Sequence, residues 1–433
     1  MVDIERKEEC CGCQACVESC PKKCISLEVD NEGFWYPLVN GDDCINCHLC
    51  EKVCPIINRQ EERRPIDVYA AKNPNDEIRE ESSSGGVFTL LAENIIKQGG
   101  VVFGAKWNSN WEVEHGYCDT IGGLKDFRGS KYVQSNIVGC YARAEEFLKE
   151  GRKVLFSGTP CQIAGLKGFL GKEYENLLLV DCICHGVPSP GVFRQYLDEL
   201  RELAGIYRGK TVYKDSFIDK HLKITNINFR DKRCGWNDYN CTVSFGLMTG
   251  NGNYSNRLKK EHYSLSGNFF SKWALFDKDY FSSDENIVQY SVPYFQDAFL
   301  RGFNTDLYTR PSCSACQFRG LRGGSDITLG DFWGISEAKP EFDDNKGVSA
   351  VLINTLKGKV VFNALDFQTS KTSFEVICHY NNSLIESDPP HKHRVDFFKH
   401  ADWSVHQRVY KYCWPTRARR MLSLIKRIKS LWR

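Results

Sequence analysis

Two cysteine runs near the start constrain this chain more than any other feature. Cys10, Cys13, Cys16 and Cys20 precede Pro21, and Cys44, Cys47, Cys50 and Cys54 precede Pro55, so C-x2-C-x2-C-x3-C-P is written twice. A two-residue gap lets successive thiolates curl round one face of a cube, and the proline ends the turn and redirects the chain. In this pattern three close thiolates grip one cubane and the fourth crosses to the other. Two 4Fe-4S clusters are expected, one on Cys10, Cys13, Cys16 and Cys54, the other on Cys44, Cys47, Cys50 and Cys20. Zinc ribbons pair two C-x2-C knuckles and use neither the third cysteine nor the x3-C-P tail, and disulfides belong to oxidising compartments. Cys11 and Cys24 do not fit the spacing and read as spectators. His48, inside the second loop, reads as a solvent-facing side chain.

That segment is too short to bury a core, but the chain has 433 residues, 42% of them hydrophobic and 26% charged, enough for a small cluster domain and a larger globular one. A formal charge of +2 argues against a nucleic-acid binder. The chain opens without a basic, apolar leader, and no apolar run reaches the length of a membrane span, so a cytoplasmic protein is expected. In that reducing setting, 21 cysteines point to metal ligation.

Arg59 to Ile66, charged and containing Pro65, reads as a linker. Val68 to Ala71 reads as a strand. Ser82-Ser83-Ser84-Gly85-Gly86 is a small-residue loop entering a helix patterned from Val87 to Ile96, before the strand Val101 to Gly104. A helix entry of this kind presents free N–H groups and a positive dipole end, which suits a phosphate, although most such loops are only caps. Phe127-Arg128-Gly129-Ser130-Lys131-Tyr132 sets a glycine turn between two cations, with an aromatic ring beside it.

A helix is patterned from Ala142 to Gly151, then the strand Val154 to Phe156 leads into Ser157-Gly158-Thr159-Pro160-Cys161. Thr159 reads as an N-cap and Pro160 as the first helical residue. Cys161 then lies in the first turn, where the dipole favours its thiolate, and is either a nucleophile or a metal ligand. The strand Leu177 to Val180 delivers Cys182 and Cys184 to its C-terminal end, where α/β sheets build sites. A last C-x2-C knuckle, Cys313 and Cys316, precedes Ser325-Asp326-Ile327-Thr328-Leu329-Gly330-Asp331-Phe332-Trp333-Gly334.

The series SSGGV, FRGSKYVQS, SGTPCQIAGL, CHGVPS, SCSAC and SDITLGDFWG, behind a doubled ferredoxin run, resembles the family of the beta subunit of coenzyme F420-reducing hydrogenase and dehydrogenase. The likeness covers the chain to about residue 370. It implies a larger α/β, FAD-binding domain with a mixed sheet, following the α+β ferredoxin-like dicluster domain. It also implies a third 4Fe-4S cluster on Cys161, Cys184, Cys313 and Cys316, with Cys182 as the rival to Cys184. FAD would lie against Ser83, Ser84, Gly85, Gly86, Ser130, Lys131 and Tyr132, with Asp331 and Trp333 lining the same site. The implied domains are 1–58 for the dicluster, 59–66 for the linker, 67–375 for the flavin and cluster domain, and 376–433 for a C-terminal extension.

The implied activity is electron transfer through FAD between a hydride carrier, coenzyme F420 or a nicotinamide, and the clusters. Two alternatives stand beside it: a reductase drawing on ferredoxin to reduce an organic acceptor, and a non-catalytic iron–sulfur carrier subunit. The family's best-known members work beside a hydrogenase or membrane complex, so a partner redox subunit is a further implication, yet nothing here resembles a nickel site. Residues 205–305 carry no readable motif. His185 reads as a structural hydrogen-bonding group, and Cys378 and Cys413 fit no ligand pattern. From Thr416 to Arg433, Met421, Leu424, Ile425, Ile428 and Trp432 recur at helical spacing among basic residues. Such a helix either lies on an anionic membrane surface, contacts an acidic partner, or packs on its own domain.

Overall fold

The two cysteine runs fold as near copies. In the computed structural model, which describes residues 2–137, 139–207, 222–247, 281–283 and 287–414, the third and fifth positions of both runs take left-handed backbone. They are Gly12 (φ 71°) and Gln14 (φ 65°) in the first run, and Asn46 (φ 52°) and His48 (φ 59°) in the second. Each run then enters one helical turn, Ala15–Glu18 or Leu49–Lys52. The hairpin of β1 (Ile25–Val29) and β2 (Trp35–Val39) joins the copies, with Ile25 opposite Val39.

The larger body is built on a mixed eight-stranded sheet. Its strands are β3 (Asp67–Lys72), β4 (Val101–Trp107), β5 (Val113–Cys118), β6 (Val154–Gly158) and β7 (Leu177–Cys182). The chain then makes a separate four-stranded antiparallel sheet from β8 (Leu222–Asp231), β9 (Asn240–Leu247), β10 (Phe281–Ser283) and β11 (Ile287–Pro293). It returns to complete the first sheet with β12 (Ile327–Asp331), β13 (Ser349–Ile353) and β14 (Gln368–Lys371), in the order β14-β3-β13-β12-β7-β6-β4-β5. Strands β4, β6, β7 and β12 run parallel, so Gly158, Cys182 and Asp331 end side by side along one edge.

Strand periodicity decides which faces are covered. Val101, Phe103, Val154, Phe156, Leu177 and Leu179 pack under the helices Cys140–Lys149 and Pro160–Leu170, while Val102, Leu155, Leu178 and Val180 face the helix Val87–Lys97. Both faces are buried, which is why these strands read as continuous apolar runs. The helix patterned from Ala142 begins two residues earlier, at Cys140 behind Gly139 (φ 89°).

The cluster segment is seated on the first of these faces. Cys13 and Val53 lie against the helix Pro160–Leu170 at its glycines: a Cβ on Gly165 would stand 2.9 Å from Cys13 Cβ, and one on Gly168 only 2.4 Å from the Val53 carbonyl oxygen. The Glu18 carboxylate accepts from the Gly139 and Ala142 N–H groups, both at 2.9 Å, at the start of the neighbouring helix. Arg394 clamps Glu32 with two bonds of 2.6 and 2.7 Å. The stretch expected as a linker is tied down: the Arg63 N–H donates to the Gly320 carbonyl and its guanidinium to those of Leu321 and Ser325.

The C-terminal part is built into the body as well. The helix Phe374–Tyr380 runs across position 375, and Val405 and Val409 of the helix Val405–Cys413 are buried with Phe299 in the core beneath the second sheet. The basic helix expected over 416–433 lies outside the described residues, as do parts of 205–305. No helix of the described residues is long and apolar enough to cross a membrane.

The seating of Cys13 and Val53 carries an expected outcome. Gly168→Ala puts a methyl against backbone and should lower stability by about 1–3 kcal/mol, with proteolytic cleavage around residues 59–66 becoming faster. Gly122→Ala, whose added carbon meets nothing within 4 Å, is the control. Equal melting temperatures and cleavage rates for the two variants would refute the close-approach argument.

Candidate redox centre

The first run gathers Cys10, Cys13, Cys16 and Cys54 around a cavity of about 30 Å³, walled by Val2, Ile4, Leu27, Trp35 and Ile56. The second gathers Cys20, Cys44, Cys47 and Cys50 around one of about 20 Å³. Each fourth cysteine thus stands in the other run's cavity. His48 is exposed, and its Nδ1 pairs with the Glu51 carboxylate at 2.9 Å. Among the described residues, the one set of three metal-ligand side chains with donor atoms within 4.8 Å of one another is His185, Asp306 and Asp388.

The two cysteines outside the spacing lie close beside these sets. Cys24 Sγ lies 3.4 Å from Cys20 Sγ and lines the second cavity. Cys11 is buried, lines the first cavity, and neighbours both Cys13 and Cys161. Spacing alone does not find these sulfurs, because the contacts come from the folding of the loop and the docking of the segment.

Cys11 also borders a third cavity, of about 40 Å³, into which Cys161, Cys184, Cys313 and Cys316 converge from three elements. Cys161 sits in the first turn of its helix, where Thr159 and Gln162 form a reciprocal capping box behind Pro160. Cys184 follows β7, Cys313 ends the single turn Pro311–Cys313, and Cys316 follows that turn. Cys182, the last residue of β7, borders the same cavity. The expectation that the helix end favours the Cys161 thiolate is overturned: the hydrogen bond with Cys11 and burial push this thiol well up. The Cys182 contact and burial raise Cys184, burial raises Cys313, and burial takes Cys316 to about 11. Crowded buried thiols ionise together only when a cation fills the space between them, the condition that a metal core meets. The buried Arg319 adds positive charge, donating to the carbonyls of Cys184, His185 and Ser383. His185 pairs with Asp306 at 3.3 Å.

Beside this cavity opens a cleft of about 610 Å³, and the segment Asp181 to Val187 walls both. Ser83, Ser84, Gly86, Ser130, Lys131, Tyr132, Asp331 and Trp333 line the cleft. Gly85 does not: a Cβ there would stand 2.4 Å from the Ala71 oxygen and 2.7 Å from the Ser349 nitrogen, so this glycine serves the close packing of the loop. Ser83 Oγ accepts from the Ser130 N–H at 2.6 Å and its hydroxyl at 2.8 Å, joining the two loops. Lys131 donates to the Arg128 and Gly129 carbonyls, and burial lowers its amine to about 8.

Residues without a sequence signal line the cleft or hold the side chains that do. Arg230, on β8, holds Asp331 at 2.6 Å and the Tyr132 hydroxyl at 3.2 Å, with its guanidinium 4.1 Å over the Tyr239 ring. Trp236 stacks on Trp333 at 5.2 Å. On the opposite side Gln162 donates to Ser135 Oγ (2.9 Å), Ser135 to His115 Nδ1 (3.0 Å), and His115 Nε2 to the Ser157 carbonyl (3.0 Å).

Residues 151–372 match the family model for the C terminus of the coenzyme F420 hydrogenase/dehydrogenase beta subunit, and residues 9–56 match the 4Fe-4S dicluster domain. The chain belongs to the F420 hydrogenase/dehydrogenase beta-subunit family. It is an iron–sulfur oxidoreductase of that family with a ferredoxin-like dicluster domain ahead of the beta-subunit body. Over 57 residues it is 34% identical to the ketoisovalerate oxidoreductase subunit VorC of Methanothermobacter marburgensis, a match spanning 13% of this chain and 72% of that protein. A ferredoxin of Mycolicibacterium smegmatis is 40% identical over 43 residues, 10% of this chain and 36% of its own length. A chain of the F420-reducing [NiFe] hydrogenase complex from Methanosarcina barkeri superposes with a TM-score of 0.40 at 16% identity, covering 75% of this chain and 90% of that one.

In this beta-subunit family member, burial lowers His115 to about 4 and keeps it neutral, against the opposing effect of the Ser157 carbonyl. Between pH 6.5 and about 4 the unfolded chain takes up a proton that the folded site refuses, so stability present above pH 6.5 is lost as pH falls, by up to about 3 kcal/mol. His115→Gln keeps an amide donor without that titration. The gap between wild-type and variant melting temperatures should change across this window in the variant's favour. A gap independent of pH would refute the assignment.

Proposed function

We propose that this chain is a flavin- and iron–sulfur-dependent oxidoreductase that passes electrons between a hydride carrier, a coenzyme F420-type deazaflavin or a nicotinamide, and its 4Fe-4S clusters by way of FAD. The observation that carries the reading is the shared wall. Asp181 to Val187 faces a cleft of flavin-holding size on one side and four converging cysteines on the other. FAD, when bound, supplies the conversion between a hydride and single electrons.

The residues divide the work. Ser83, Ser84, Gly86, Ser130 and Lys131 surround the N-terminus of the helix Val87–Lys97, where N–H groups, the dipole and the Lys131 amine favour a diphosphate. Tyr132 and Trp333 offer flat aromatic walls, held by Arg230 and Asp331. Cys161, Cys184, Cys313 and Cys316 ligate the third cluster. Cys11 and Ile56, common to the third and first cavities, mark the crossing into the dicluster domain. The second run, with Cys47 exposed, faces an external redox partner such as ferredoxin or a partner subunit. In this reading residues 1–58 carry two clusters, 59–66 connect, and 67–375, together with the packed part of 376–433, hold the flavin and the third cluster.

Iron, acid-labile sulfide and flavin measured per chain on anaerobically purified protein test the proposal. About twelve irons with one FAD are expected, with flavin bleaching on anaerobic addition of reduced F420 or NADH. About eight irons without flavin would overturn it in favour of an iron–sulfur carrier.

A further inference from the structure

Arg310 is fully buried, and none of its hydrogen-bond partners is a carboxylate. Its Nε donates to the Cys10 carbonyl at 2.8 Å, Nη1 to the Gln134 side chain at 3.1 Å, and Nη2 to the Trp35 carbonyl at 3.0 Å and to Cys10 Sγ at 3.4 Å. The guanidinium also covers the Tyr36 ring at 4.2 Å. A guanidinium stays charged, and a buried charge without a counter-ion is strongly disfavoured. The negative charge available here is that of the thiolates on the first cavity. A cubane held by four thiolates is an anion whose negative charge grows by one on reduction, so a fixed cation at a ligand sulfur favours the reduced state.

The two runs differ at the position that admits this contact. In the first run it is Gly12, where an added Cβ would come within 3.0 Å of the Arg310 guanidinium carbon and 2.3 Å of the Gln134 amide nitrogen. In the second it is Asn46, whose side chain stands 3.8 Å from Cys44 Sγ, and no arginine or lysine donates to a ligand sulfur there among the described residues. The large body supplies Arg310 three residues before Cys313, on the strand of chain that also reaches the third cavity.

We infer that Arg310 is a positioning cation that raises the reduction potential of the cluster on Cys10, Cys13, Cys16 and Cys54 above that of the cluster on the second run. The inference rests on the reading that the first run holds a cubane. Each reduction adds one electron to one cluster.

The test is a potentiometric titration of the anaerobically purified full chain with dithionite and mediators, read by low-temperature EPR in wild type, Arg310→Lys and Arg310→Gln. With iron content unchanged, R310Q should move one ferredoxin-type signal to lower potential and leave the other in place. At the wild-type midpoint the reduced-to-oxidised ratio of the moved signal should fall about tenfold, which is 59 mV for a one-electron couple. R310K, which keeps the charge, should stay closer to wild type than R310Q does. Unchanged midpoints in R310Q, or equal shifts of both signals, overturn the inference. Should R310Q lose iron, protein grown on ¹⁵N-arginine decides. A nitrogen coupling on a reduced ferredoxin-type signal of the wild type that disappears in R310K supports the contact, and its absence from the wild type overturns it. A wild type without ferredoxin-type signals would instead overturn the underlying cluster reading.

Discussion

One helix, Pro160–Leu170, sets the spacing on which the redox arrangement depends. Its first turn presents Cys161 to the third cavity, and one turn further Gly165 receives Cys13 of the first run. Because both contacts belong to a single rigid rod, the separation of the two thiol sets is fixed by helical geometry, at 1.5 Å of rise per residue. Gly168 extends the seat by taking the Val53 carbonyl. A larger side chain at either glycine would tilt the dicluster segment away. The glycines, poor helix formers, are tolerated because close approach of the segment more than offsets the roughly 1 kcal/mol that each costs relative to alanine.

Electrostatics and packing meet in the same region. Buried thiols, a neutral buried histidine and buried arginines without carboxylate partners would be a costly set if the cavities held nothing charged. The costs fit together once thiolates and cationic metal cores are considered jointly. The crowding that raises Cys161, Cys184 and Cys313 as free thiols is relieved when a cationic core ionises them together. The apolar walls of the first cavity, Val2, Leu27 and Trp35, limit solvent access and so act on the same potential as the nearby cation.

What was legible in the sequence was local. The cysteine spacings, the Thr159-Pro160 helix start and the apolar strands at Val154 and Leu177 each follow from chemistry within one or two turns of chain, whereas the mixed sheet behind the dicluster segment was what the family resemblance implied. What was not legible depends on long-range docking. Tyr239 reaches the cleft, and Arg230 holds its Asp331 and Tyr132, from a second sheet whose alternating pattern is blurred by bulges in β8. Cys11 gained its neighbours Cys13 and Cys161 from the seating of one segment on another, and Gly85, read as a ligand contact, turned out to serve the passage of β3 and β13 beneath it. The helix-dipole argument for Cys161 failed for a related reason: a terminal dipole is a surface effect of about 1 kcal/mol, and burial beside other sulfurs exceeds it.

The stretch from Arg310 to Arg319 binds these observations together. Arg310, Cys313, Cys316 and Arg319 recur every third residue, so one short piece of chain carries two thiols flanked by two cations. The cations diverge. Arg310 turns back to the first run, and Arg319 turns toward the loop that follows Cys184. Both are buried, whereas the second run exposes Cys47 and, among the described residues, no arginine donates to its sulfurs. Buried guanidinium charge therefore stands at the first and third cavities, while the cation lining the second is the exposed Lys22. Burial disfavours the more negative, reduced state of an anionic cluster, and a buried guanidinium at a ligand sulfur works against that cost.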